Sequence, residues 1–199
     1  MRVFRFLGPW FVLAPLGCHS PQGSLPLRDL PVTPDVALSQ PPFAEVHCSY
    51  KERLDQRYVY LELTGNYALA GRSIPELARL IKEQGLEASG PPFGLFFDDP
   101  GQVPVERLRA RVAFPVESVA LVAKPLAVDV LPSSTVAYAI AGGAYPEVPR
   151  CYPGLLAYVK KMHWQIAGPI REIYLVDPGS VAQWSALRCE VQVPVSMAP

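Results

Sequence analysis

The chain has no run of lysine or arginine, and its 18 basic residues are balanced by 18 acidic ones. Without a field of one sign nothing gathers a polyanion at long range, which argues against DNA or RNA as a partner. Histidine is scarce: His19, His47 and His163 show no metal-ligand spacing. The four cysteines, Cys18, Cys48, Cys151 and Cys189, contain no C-x-x-C pair. No structural zinc is expected, therefore, and no other metal or cofactor is implied. Gly-x-Ser-x-Gly and a phosphate loop are both missing, so nucleophile-elbow hydrolysis and P-loop chemistry have no carrier. The apolar run Phe6 to Leu16 is too short to cross a bilayer as a helix.

That run does suit a secretory signal, because Arg2 and Arg5 precede it. It closes on Pro15-Leu16-Gly17-Cys18, which resembles a bacterial lipobox, although an aliphatic residue usually stands where Pro15 is. Residues 1–18 are thus expected to direct export, with Cys18 lipidated as a membrane anchor in the cell envelope, facing the periplasm or the exterior. Plain secretion and an uncleaved anchor are the alternatives. Residues 19–45 hold Pro21, Pro26, Pro31, Pro34, Pro41 and Pro42 among Ser, Gly and Gln and read as a semi-rigid tether. In an oxidising compartment, Cys48, Cys151 and Cys189 are expected to form one disulfide and leave one thiol, with the pairing open.

Half of the residues are hydrophobic, enough for a sizeable core. From Tyr58 the pattern alternates as a half-buried strand does, through Val59, Leu61 and Leu63. Ser73-Ile74-Pro75-Glu76 predicts a capping box opening a helix that Gly85 ends. Phe93 to Phe97 predicts a strand stopped by Asp98-Asp99-Pro100, and residues 107–112 predict another whose outer face carries Arg107, Arg109 and Arg111. A shift of 78 positions carries Tyr60 onto Tyr138, Gly65 onto Gly143, Tyr67 onto Tyr145, Leu77 onto Leu155, Gly90-Pro91 onto Gly168-Pro169 and Asp99-Pro100 onto Asp177-Pro178. Residues 46–199 therefore read as an α+β domain of two β-α-β-β units, one at about 55–115 and one at about 130–196. The second copy predicts strands near 135–141, 170–176 and 187–195 and a helix near 150–163, with Tyr152 and Leu155 on one face. The two units are expected to share one antiparallel sheet with both helices on one face, leaving the other face concave and partly open as the place for a ligand cleft.

The stretch Gly90-Pro91-Pro92-Phe93-Gly94-Leu95-Phe96-Phe97-Asp98-Asp99-Pro100, with Val103-Pro104, Leu108-Arg109 and Arg171-Glu172-Ile173-Tyr174-Leu175, resembles the GyrI-like small-molecule-binding domain. That domain is also the effector-binding part of several multidrug-responsive transcription regulators. The likeness covers about residues 50–195. It implies a duplicated fold, a cleft between the repeats and a buried glutamate that meets cationic or polar aromatic ligands. The matching position is Glu172, with Glu190 the second acidic candidate. The chain is also similar to a mammalian ER-phagy receptor that carries such a domain, but residues 196–199 offer no adaptor motif, so an autophagy role is not expected.

The repeat alignment adds its own argument for Glu172, because its counterpart is Gly94. Period two places Glu172 and Tyr174 on one face of their strand. If that face lines the cleft, Tyr60, Tyr138, Tyr174 and Trp164 around a carboxylate would attract a lipophilic cation, each cation–π contact being worth about 0.5–2 kcal/mol when desolvated. The plainer reading puts Glu172 on a surface strand paired with Arg171 or Arg188, and Tyr60 and Tyr138 in ordinary packing. Three functions compete: a membrane-tethered binder of small amphipathic or cationic molecules, a hydrolase of strained or electrophilic compounds that some relatives are reported to be, with Glu172 as base and Tyr174 as donor, and a protein-interaction module. In a bacterial host fed a palmitate analogue, the full chain is expected to take up label and Cys18→Ser to take up none; equal labelling of the two would remove the lipid anchor.

Overall fold

The computed structural model describes residues 36–117 and 121–197. The export segment, Cys18 and the tether up to residue 35 lie outside the described residues. In chain order the strands are β1 (Leu38–Ser39), β2 (Cys48–Arg53), β3 (Gln56–Thr64), β4 (Phe93–Phe96), β5 (Arg109–Pro115), β6 (Ala127–Leu131), β7 (Ser134–Gly142), β8 (Trp164–Ile166), β9 (Ile170–Tyr174) and β10 (Arg188–Met197). Helix α1 (Ile74–Glu83) lies between β3 and β4, and α2 (Tyr152–Lys161) between β7 and β8. The sheet runs β1-β7-β10-β9-β4-β5-β3-β6, with β2 also on β7 and β8 on β10. Every pairing is antiparallel except that of β1 with β7. The expected α+β architecture holds.

Both helices cover the same face. The apolar side of α1, Leu77 and Ile81, packs on Val59 and Val112, and that of α2, Leu155 and Val159, packs on Ala137, Ala139 and Val191. Cross-strand register places all of these strand residues on one side. Each fully buried leucine or valine contributes about 1.5–3 kcal/mol relative to exposure. Strands β3 and β7, and helices α1 and α2, begin and end in step with the 78-residue shift. The turns repeat as well: Gly65 and Gly143 hold φ of +115° and +98°, conformations that side chains resist. Their N–H groups donate to the carbonyls of Leu108 and Leu187, at 2.8 and 3.3 Å.

Four strands, β1, β2, β6 and β8, had no counterpart in the sequence pattern, and two of them cross between the repeats. β2 leads into β3 but pairs with β7, from Cys48↔Ala139 to Arg53↔Ser134. β6 leads into β7 but pairs with β3, from Gln56↔Leu131 to Tyr60↔Ala127. The register is continuous between the two, so β2–β3 and β6–β7 make one long ribbon in which each repeat lends its leading strand to the other.

Several local expectations need correction. The tether ends earlier than residue 45: β1 joins β7, Val36 and Phe43 are buried, and Val46 lies so close to α2 that a Cβ on Gly154 would meet it at 2.5 Å. The capping box does not form. A 3-10 segment, Tyr67–Ser73, runs straight into α1, so Ser73 is already helical (φ −86°, ψ −8°) and its side chain caps nothing. Asn66 caps this longer helical stretch, accepting from the Ala68 N–H at 2.9 Å, while Glu76 pairs with Arg79 at 2.7 Å. Arg107 sits in a turn before β5, and only Arg109 and Arg111 share the strand, paired with Asp98 and Asp129 at 2.8 Å each. Cys48, Cys151 and Cys189 are all free thiols, so the expected disulfide is absent.

Tyr67 and Tyr145 pin equivalent places. The Tyr67 hydroxyl accepts from the Asp98 N–H at 2.9 Å and donates to the Arg109 carbonyl at 2.8 Å. The Tyr145 hydroxyl accepts from the Val176 N–H at 3.1 Å and contacts the Val176 and Arg188 carbonyls. Tyr67→Phe and Tyr145→Phe are each expected to cost about 1–2 kcal/mol in urea unfolding, because a backbone pair loses its partner; no loss in either would make the hydroxyls incidental.

Candidate functional site

In the pairing of β4 with β9, Gly94 stands directly opposite Glu172. These are the same two positions that the repeat equates, so the local twofold relating the copies passes between them. Around that point lie further repeat mates: Phe96 and Tyr174 from the strands, Ile74 and Tyr152 from the first turns of α1 and α2. Ile74 packs against the cores of both halves.

Glu172 is 4% exposed. Its Oε1 accepts from the Tyr152 hydroxyl at 2.5 Å and its Oε2 from the Tyr174 hydroxyl at 2.9 Å. Among the described residues no cationic side chain forms an ion pair with it, which rules out the surface pairing with Arg171 or Arg188. Burial raises its carboxyl above the ordinary carboxylate value, and the two phenolic hydrogen bonds pull the other way. Both phenols are held well above their usual range, by burial first and by the Glu172 charge second. The space over Gly94 is not empty. A Cβ there would meet the Phe96 ring at 2.9 Å and the Tyr174 hydroxyl at 3.3 Å.

Three thiols lie on the same side. Cys189 stands opposite Tyr174 in the β9–β10 register; burial, then Glu172, pushes it well above its usual value. Burial pushes Cys151 up to about 12, with Glu172 adding to it, and Cys48 up to about 11. These are protonated, apolar fillers at neutral pH and poor nucleophiles.

The residues singled out from the sequence divide between the two faces. Glu172 and Tyr174 come together under the helices, so the site lies on the helix-covered face and not on the open one. Tyr60, Tyr138 and Glu190 point to the opposite side, because register aligns Tyr60 with Ala113, and Glu190 with Ile173. There Tyr60 lies under the Arg111 guanidinium, 4.1 Å from ring centroid to charge. Lys51 sits 4.3 Å over Tyr138 and 2.6 Å from Glu190. Trp164 opens β8 and packs edge-on against Tyr50 and Tyr158. The side chain missed was Tyr152. Its place on the buried face of the helix was legible, but its reach to Glu172 depends on how α2 docks. Among the described residues no His, Cys, Asp or Glu group is arranged to hold a metal, and no helix is long and apolar enough to cross a membrane.

A duplicated fold with a buried glutamate is what the resemblance implied, and the sequence profile of the GyrI-like small molecule binding domain matches residues 48–196. The chain belongs to this family. Solved structures agree in fold. The C-terminal domain of EcmrR superposes with a TM-score of 0.70 at 16% identity, covering 77% of this chain and 99% of that domain; in the DNA-bound EcmrR complex the matched part is 57% of the longer protein. A hydrolase from Listeria innocua gives 0.54 at 11% identity, covering 75% of this chain and 91% of its own. SAV2435, solved bound to tetraphenylphosphonium, gives 0.53 at 17% identity, covering 75% and 93%. No curated protein matches the chain.

Because its carboxyl is raised, Glu172 favours the folded state fully below the ordinary carboxylate value, and that contribution is lost as pH rises through the raised folded value. Glu172→Gln is neutral throughout. Its melting temperature is expected to gain on the wild type as pH goes from about 4 to about 8; a difference that stays constant would mean the carboxyl is not raised.

Proposed function

We propose that this protein is a membrane-tethered envelope protein that captures small amphipathic or cationic molecules at the Glu172 site. Small-molecule binding is the property of the GyrI-like family. The observation that carries the choice of ligand is a carboxylate buried with two phenol donors and no counter-ion. A lipophilic cation supplies that missing charge, and its apolar body suits the rings of Tyr152, Phe96 and Tyr174. Coulomb and cation–π attraction act together in such a site, the latter contributing about 0.5–2 kcal/mol per ring once water is excluded. The tethering part of the proposal rests on residues 1–18 alone, and the ligand class agrees with the tetraphenylphosphonium held by SAV2435.

A hydrolytic reading has one observation of its own. A carboxyl raised by burial is a candidate general base, and the Tyr152 and Tyr174 hydroxyls that donate to it are the adjacent acids. The two readings part on what happens to the ligand.

With tetraphenylphosphonium as probe, calorimetry is expected to show binding that Glu172→Gln weakens by roughly tenfold or more, the worth of a desolvated charge contact. Unchanged affinity would sink the role of Glu172. Mass spectrometry of a panel of strained and electrophilic compounds after incubation is expected to return them intact; products that disappear in Glu172→Gln would turn the assignment to hydrolysis.

A further inference from the structure

Glu172 has a neighbour in the chain with the opposite charge and the opposite direction. Arg171 points to the other face of the sheet and is 6% exposed there. Its guanidinium stacks on Phe93 at 3.9 Å and donates to the Gln56 side-chain oxygen. Its Nε–H is buried with no acceptor, and among the described residues no carboxylate forms an ion pair with it. Directly across the ladder is Gln192, 3% exposed. Its Nε2 donates to Glu190 at 2.6 Å, and its Oε1 is buried with no donor. Buried polar groups are paired in almost all folded proteins, so an unmet donor facing an unmet acceptor is unusual.

Both side chains line a cavity of about 90 Å³, with Arg53, Ser134 and the apolar Leu95 and Val136 also in its wall. Arg53 is spent on backbone and hydroxyl oxygens, donating to Leu54, Pro132 and Ser134. Glu190 is engaged by Lys51 and Gln192. Burial and then the Arg53 charge pull Arg171 down to about 10, against Glu190 and Tyr58, so it stays cationic at neutral pH. The cavity thus has a positive end and a greasy wall, and the unmet Arg171 donor and Gln192 acceptor lie within the two side chains that line it, neither atom open to a water-sized contact.

The geometry points to a second binding site in this cavity, for a small hydroxycarboxylate that the Arg171 and Gln192 side chains turn to meet, its carboxylate taking the Arg171 Nε–H and its hydroxyl donating to Gln192 Oε1. The volume admits about three waters or one acid of that size. A plain carboxylate satisfies Arg171 and leaves Gln192 unmet, so the hydroxyl is the discriminating group. The site shares no side chain with the Glu172 cluster.

The test is NMR titration of the full protein with glycolate and with acetate, following the Arg171 Nε–H and Gln192 side-chain amide signals. Glycolate is expected to shift both at millimolar concentration and to bind roughly fivefold more tightly than acetate, the worth of one hydrogen bond. Gln192→Leu is expected to make the two acids equal, and Glu172→Gln to change neither. Arg171→Met removes a stacked buried side chain and endangers the fold, so Arg53→Gln serves beside it and is expected to weaken both acids several-fold while the spectrum stays folded. Absence of an Arg171 Nε–H shift with glycolate overturns the proposal. So does equal affinity for the two acids in the unaltered protein, or a crystal structure grown in glycolate with only waters in the cavity.

Discussion

Antiparallel pairing of β4 with β9 sets each repeat's copy of one position against the other's, and the candidate site is built on that meeting. Residues directly opposite in such a pair have Cβ atoms about 5 Å apart. Two glutamates there would repel by about 3 kcal/mol even at a moderate effective dielectric, before the cost of burying both. The duplicated unit therefore has to break its own symmetry at the axis, and Gly94 opposite Glu172 is the break. The glycine also lets the Phe96 ring and the Tyr174 hydroxyl close over its backbone. One carboxylate is left where the twofold would have demanded two.

Strand β9 carries a second consequence of alternation. Arg171 and Glu172 are adjacent, buried and opposite in charge, yet the pleat sends them to opposite faces of the sheet, where neither neutralises the other. Each uncompensated buried ion costs several kcal/mol. What offsets this is local and different on the two sides: two phenol hydroxyls for the carboxylate, an aromatic face and a glutamine oxygen for the guanidinium. These groups stay in place because the cores around them are rigid. The helix-side core of each half is filled by its own helix, and the exchanged leading strands tie the halves into one ribbon.

Much was legible along the chain. The 78-residue repeat predicted both helices and most strands, and the turn glycines matched in conformation as well as identity. Glu172 and Tyr174 were correctly read as sharing a face. The other aromatic partners were not. Tyr60 and Tyr138 belong to strands whose side-to-side relation with β9 is set by register across intervening strands, and one step of register reverses every side chain. The Ser73 capping box failed because a helical turn already preceded it, a feature that the propensity of four residues does not carry.

By itself the sequence determined what short-range chemistry determines: where period two gives way to helical spacing, where turn residues stop an element, and that one unit occurs twice with a glycine in one copy and a carboxylate in the other. The tertiary structure alone decided that these two positions face each other, that Tyr152 reaches the carboxylate, that β2 and β6 exchange between repeats, and that Arg171 and Gln192 share a cavity on the far side. Each of those depends on the register and docking of segments far apart in the chain. Such contacts are chosen by the burial of the whole core, and no local pattern encodes them.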